Sequence, residues 1–294
     1  MSRGDPSQER GRPGRSFGKK SGRDARGSRP ALVRTGAVLA GAAATITVLS
    51  APAFAYRPFD GTDGAVANLN EVEIEFQPFG WQRDDQQKTL IMPGVRYNFG
   101  FADRWEFVAE GQFERPLSPS GPSSFSATSV TLKYVVKPGV LQDQVGLSIA
   151  TEFGPLLPEI NGDRGTGFSW AGIVSQRGDW GAVHLNVEAN LTRDQQAEAF
   201  LGAIVEGPAK WTVRPVFEVF YDKVFRDAET WSGLAGAIWQ VRDDLAFDAA
   251  FRYATVNGRP VDEIRAGLTF SFEAGGGKEN AGLGAVFGNW GLSR

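Results

Sequence analysis

The chain has 294 residues, no cysteine, one histidine and a formal net charge of −3. That composition excludes a disulfide framework and a typical Cys/His zinc site. Residues 1–35 carry ten Lys and Arg against three acids, while the remainder carries 21 against 31. The basic start would invite a nucleic-acid reading, but the segment behind it points to export.

Gly36–Ala55 has no charge and ends Ala53-Phe54-Ala55. A basic n-region, an apolar h-region and an A-x-A site predict a secretory signal peptide over residues 1–55, with the mature chain starting at Tyr56. A retained anchor is the alternative, but Gly, Ala and Thr dominate the segment and favour membrane spanning weakly. After Ala55 no run of about 18 apolar residues appears, which excludes helical spans. A membrane form must then be a closed barrel, because an open sheet edge leaves backbone groups unpaired in lipid. Residues 56–70 are expected as a periplasmic lead-in. Within them Asp60–Gly64 weakly resembles a calcium loop, but Ala65 stands at the glycine position and most acidic ligands are missing, so a Gly/Asp turn is the better reading.

From residue 71 the pattern has period two, the signature of strands with unlike faces. Strand one, Glu71–Gln77, alternates Val72, Ile74 and Phe76 with Glu71, Glu73 and Glu75, and a polar loop follows over Phe79–Lys88. Val95–Phe113 reads as a tight hairpin turning at Gly100–Asp103. Pro116–Ser126 is a long Pro/Ser loop, and strand four puts Val130, Leu132, Tyr134 and Val136 opposite Thr131 and Lys133. Strand five sets Val145, Leu147, Ile149 and Phe153 against Ser148, Ala150 and Glu152, before a long loop over Pro155–Thr166. Strand six is Phe168–Gln176. Strand seven places Val183, Leu185, Val187 and Leu191 opposite His184, Asn186, Glu188 and Asn190. Strand eight, Ala197–Glu206, and strand ten, Trp231–Gln240, have no clear phase. Strand nine puts Trp211, Val213, Phe217, Val219 and Tyr221 outside, with Arg214 and Glu218 inside. Strands eleven and twelve set Phe247, Phe251, Ile264, Leu268 and Phe272 against Asp248, Arg252, Glu263 and Arg265.

Twelve strands over residues 71–272, with aromatics near many strand ends, predict an all-β fold: a transmembrane antiparallel up-and-down β-barrel. Longer connections after odd strands place both barrel ends in the periplasm. Residues 273–294 form a Gly-rich C-terminal tail.

The order PGVRYNFGFADRWEFVAEGQF, GPAKWTVRPVFEVFYD and IRAGLTFSF resembles the outer-membrane barrel family associated with meta-pathway phenol degradation. The resemblance covers about Asn68 to Phe272, and family members are described as candidate transporters. It implies a channel for small solutes, apolar or aromatic ones among them, in the outer membrane of a Gram-negative bacterium. The implied partners are outer-membrane lipid, the barrel-assembly machinery and the solute, with no nucleic acid and no cofactor. The tail after Phe272 departs from the usual ending on a terminal aromatic.

The polar phase supplies the expected pore-lining residues: Glu71, Glu73, Glu75, Arg96, Glu106, Glu110, Lys133, Glu152, His184, Glu188, Arg214, Glu218, Asp248, Arg252, Glu263 and Arg265. They either line a water-filled path or pair and plug a narrow lumen. Arg252 and Glu263 are placed to pair across the last hairpin. Glu71, Glu73 and Glu75 stack three carboxylates near one mouth, which favours cations if the barrel conducts. An outer-membrane lipid hydrolase is a third reading. It wants a nucleophile beside the histidine, and the local sequence is His184-Leu185-Asn186, so no catalytic residue is assigned.

Overall fold

The computed structural model describes residues 57–274. The expected signal peptide and nearly all of the expected tail lie outside the described residues. Twelve strands run antiparallel: β1 (Glu71–Arg83), β2 (Lys88–Ala102), β3 (Trp105–Ser118), β4 (Ser124–Lys137), β5 (Ser148–Leu156), β6 (Gly167–Gly178), β7 (Gly181–Leu191), β8 (Ala197–Glu206), β9 (Val213–Val224), β10 (Ala228–Arg242), β11 (Leu245–Val256) and β12 (Arg259–Glu273). Each pairs with its sequence neighbours, and β1 pairs with β12 to close the barrel. Closure leaves no sheet edge unpaired, which is the condition for strands to cross lipid. The start of β1 and the end of β12 meet at one rim, here the terminal rim; the other is the far rim.

The alternation sets facing along most strands. In β7, Val183 to Leu191 point outward while His184, Asn186, Glu188 and Asn190 are buried inside. In β11, Phe247, Phe251 and Tyr253 are exposed while Asp248 and Arg252 are buried. Strands eight and ten acquire a phase. Phe200 and Ile204 of β8, and Leu234 and Ile238 of β10, are buried inward, while Leu201, Val205, Trp231 and Trp239 are exposed outward. Their sequences showed no phase because both faces are apolar.

Several boundaries differ from expectation. β2 begins at Lys88, and β3 and β4 reach Ser118 and Ser124, so the expected loop at Pro116–Ser126 shrinks to residues 119–123. β1 continues through a bulge between Phe76 and Phe79 to Arg83, so the expected loop at Phe79–Lys88 shrinks to residues 84–87. β5 starts at Ser148, leaving Val145 and Leu147 in a loop. That loop folds on itself: Val140 N–H donates to Gly146 O and Gln144 N–H to Gly139 O, with Gly146 at φ +99°. Trp211 also precedes its strand, in a turn closed by its own N–H on Pro208 O. The loop-length asymmetry is weaker than expected. Residues 138–147 after β4 match residues 157–166 after β5, and the β11–β12 turn is as short as that of β2–β3.

Candidate functional site

The lumen is occupied by a segment of the chain itself, residues 57–67. Residues 57–69, expected as a lead-in outside the barrel, form a strap: residues 57–67 run inside the barrel with bends at Asp60, Gly61 and Gly64, and Asn68 and Leu69 are exposed at the rim. The correction has a physical cause: the wall's inward polar side chains satisfy the strap's backbone. Asp60 N–H and Gly61 N–H donate to the two carboxylate oxygens of Glu218 at 2.8 and 2.7 Å. Thr62 N–H donates to Asn186 Oδ1 at 3.0 Å, and Asn186 Nδ2 returns a bond to Thr62 O at 2.8 Å. Gly64 N–H donates to Ser175 Oγ and Ala67 N–H to Glu106. No ladder pairing among the described residues includes residues 57–69.

Strap side chains add three anchors. Arg57 donates to Asp248 and Gln77. Asp60 accepts from Arg265 at 3.3 Å, and Asp63 pairs with Lys133 at 3.4 Å. Phe59, 4% exposed, sits in a cluster with Ile204, Val216, Leu234, Ile238, Ala246 and Ala250. The lumen wall thus carries an apolar patch on β8–β11, set among inward charges that include Arg214, Glu218, Asp248 and Arg252 of the same strands. Two wall glycines make room for the strap. A Cβ at Gly100 would lie 2.0 Å from Asn68 O, and one at Gly267 would lie 2.2 Å from Arg57 Nε.

Of the sixteen expected lining residues fourteen are buried, and Glu73 and Glu152 are half-buried. Arg96 gathers Glu110 at 3.1 Å, Glu152 at 3.0 Å and Glu75 at 3.8 Å. Glu110 also accepts from Ser129, and Glu152 from Thr131. Arg252 pairs with Glu263 across the β11–β12 hairpin at 2.7 Å, and Arg265 takes the other side of Glu263 at 3.0 Å. Arg214 holds Glu206 at 3.0 Å. Glu188 accepts from Asn190. The three-carboxylate stack is not uniform: Glu71 accepts from Asn68 of the strap, Glu75 lies against Arg96 and Asn98, and Glu73 remains among the acids.

His184 stands between Ser175 Oγ at its Nδ1, 2.8 Å, and Glu206 at its Nε2, 3.1 Å. Ser175 is its cross-strand partner, which a search along one strand for a nearby nucleophile misses. The serine oxygen is already taken by Gly64 N–H, and Glu206 by Arg214. This trio thus holds the strap. Beyond the strap a cavity of about 40 Å³ remains, lined by Asp60, Arg96, Glu110, Glu152, Glu188 and Arg193 among others. Such a space accommodates only about two or three waters. At the far rim Arg193 donates to Leu157 O and Thr128 O, and Ile160 pairs with Phe125, drawing the 157–166 loop against β4.

The outer surface carries the opposite chemistry. Trp105–Tyr134 and Trp239–Phe247 lie near the terminal rim; Phe113–Phe125 and Tyr221–Trp231 lie near the far rim. Between these girdles stand exposed Leu185, Val187, Leu201, Phe217, Val219 and Phe251. An apolar band between two aromatic girdles on a closed barrel fits a bilayer and nothing in water. The chain is a membrane-spanning β-barrel.

No protein-family model matches this sequence, and no curated protein matches it significantly. Solved structures similar to it include the NanC porin (9% identity, TM-score 0.49, covering 68% of this chain and 98% of that one). The KdgM porin is similar at 13% identity and TM-score 0.46, covering 68% and 99%. An outer membrane channel from Pseudomonas putida F1 is similar at 11% identity and TM-score 0.46, covering 71% and 96%.

Proposed function

We propose that this barrel is a Gram-negative outer-membrane channel for small solutes, closed at rest by the strap of residues 57–69. One observation carries the reading: the occluding segment is held by wall side chains and by no ladder pairing, so it can leave while the barrel stays intact. A barrel of about eight strands fills its lumen with side chains, and one of sixteen leaves a water-filled pore. Twelve strands fall between, with room for wall side chains and one chain segment. With the strap gone, a polar slot lined by Glu218, Asn186, Glu106 and Arg265 would cross the terminal half of the lumen. The resemblance to the phenol-degradation barrels suggests apolar or aromatic solutes, and the apolar patch on β8–β11 is compatible with them. The reading has lipid around the girdles and the assembly machinery as partners. It involves no catalytic step, no cofactor and no nucleic acid.

A second reading, a permanently closed structural barrel whose far-rim loops at residues 119–123 and 157–166 make contacts, is favoured by the packed lumen and the small residual cavity. Planar-bilayer recordings of the intact protein and of a variant lacking residues 57–67 separate the two. The channel reading expects a silent or rarely opening parent and a steadily conducting deletion variant. A folded, inserted deletion variant without conductance would establish the closed barrel.

A further inference from the structure

The strap is recognised mainly through groups that every peptide has. Glu218 takes two successive backbone N–H groups, and Asn186 bonds both the N–H and the C=O of Thr62, as a neighbouring strand would. Ser175 takes Gly64 N–H, Gln142 donates to Gly64 O at 2.9 Å, and Arg265 donates to Pro58 O at 2.8 Å. Glu218, Asn186, Ser175 and Arg265 all sit on strands paired on both sides, so the backbone that carries them needs no ordering for a peptide to bind. Side-chain selectivity is strongest where the Phe59 ring enters the apolar cluster and the next residue's carboxylate meets Arg265, with Arg57 on Asp248 and Asp63 on Lys133 adding to it.

We infer that the lumen is a binding site for short peptides carrying an aromatic residue followed by an acidic one, bound with the bend seen at Asp60–Gly61, and that the strap is its occupant in cis. Resting on the channel reading, this names the solute class: such a peptide, entering in trans, replaces the strap and passes through the slot it vacates. Two features favour a peptide over a simple aromatic acid. An aromatic acid fills the Phe59 pocket and the Arg265 position but leaves the buried acceptors on Glu218 and Asn186 unpaired, which costs affinity. It also brings no amide to match the paired donor and acceptor of Asn186.

The test uses the barrel lacking residues 57–67, folded in detergent, and a fluorescent peptide with the sequence of residues 57–67. Anisotropy should report saturable binding. Asn186→Ala should weaken it at least tenfold. A peptide with the same side chains but N-methylated at the positions of Gly61, Thr62 and Gly64 should bind at least tenfold more weakly than the parent. Equal binding of the methylated peptide, competition by phenylacetate at the same concentration as the peptide, or no binding to a folded barrel would each overturn the inference. If the deletion variant does not fold, the intact chain with Thr62→Cys serves instead. Added peptide should then accelerate maleimide labelling of that cysteine as the strap is displaced, and an unchanged rate overturns the inference. Binding and conductance fail separately. A barrel that binds the peptide but never conducts keeps the site and loses the channel; one that conducts but ignores the peptide does the reverse.

Discussion

Phe59 is the residue on which closure of the lumen should depend most. Its ring is 4% exposed and packs on Ile204, Val216, Leu234, Ile238, Ala246 and Ala250. Burying such a ring stabilises by about 1.5–3 kcal/mol, and truncating a buried one to Ala costs about 3–5 kcal/mol where a cavity is left. A strap tethered at one end can partly follow the collapse, so Phe59→Ala should weaken docking by about 2–3 kcal/mol. At about 1.4 kcal/mol per decade, the undocked fraction rises roughly 30- to 150-fold. The chain has no cysteine, so a single Thr62→Cys reports strap exposure without background. Thr62 is 7% exposed, and its side chain makes no hydrogen bond among the described residues. Maleimide labelling of that cysteine should accelerate by the same factor, because reaction requires the strap to leave. The barrel itself should unfold at an unchanged denaturant concentration, because no ladder pairing involves the strap. An unchanged labelling rate would show that the backbone bonds alone hold the strap. A fall in barrel stability equal to the rise in labelling would show that strap and barrel are one cooperative unit, and the gating argument would fail.

Arginine at Val187 or Phe251, exposed between the girdles, should cost about 2–4 kcal/mol of barrel stability in refolding titrations from vesicles; tolerance at both would mean the strand phase is inverted. Arg265→Met removes the guanidinium shared by Glu263, Asp60 and Pro58 O; breaking a buried pair costs about 3–5 kcal/mol, and a lower unfolding midpoint with faster Thr62→Cys labelling is expected. Replacing Glu71, Glu73 and Glu75 by Gln in the strap-deleted barrel should reduce cation preference, read as a reversal potential under a salt gradient; indifference rejects the mouth role. Terminal sequencing of membrane-extracted protein should begin at Tyr56, and a basic arm still attached would reject cleavage at Ala55.

Most of the barrel was legible in the sequence because one physical rule wrote it. Period-two alternation and turn residues gave twelve strands over residues 71–272, and the inward phase of β2, β7, β9, β11 and β12 is the observed one. The rule failed where its premise failed. A strand reads clearly only when its two faces differ, and β8 and β10 place Phe200, Ile204, Leu234 and Ile238 on the inner wall to receive the strap. Leu147 was expected at a lipid-facing position on its phase alone, but Gly139 and Gly146 fold that segment into a loop before β5 begins. Ser148 and Gln112 are 0% and 2% exposed, so the interior beside them is packed rather than open to water. The strap itself left no periodic signal. Its Gly and Asp residues read as a turn, because nothing in a local window shows that Glu218 and Asn186, more than 120 residues away, will bond to it.

The lumen's chemistry reconciles a packed interior with a removable plug. Charges taken out of water cost several kcal/mol each unless they are paired, and here the pairs are mostly made within the wall: Arg96 with Glu110 and Glu152, Arg252 with Glu263, Arg214 with Glu206. These pairs persist when the strap leaves. The groups that lose a strap partner include Glu218, Glu106, Asn186, Asp248, Lys133, Ser175, Gln77 and Arg265, and each is a polar side chain that water can hydrate once the slot opens. Undocking therefore exchanges protein hydrogen bonds for water at a small net cost per bond. The apolar seat of Phe59 is the part water cannot replace. Strap retention consequently rests on many backbone bonds of small net value each, with the Phe59 ring and its pocket as the largest single contribution, while the wall's ion pairs keep the barrel rigid in both states.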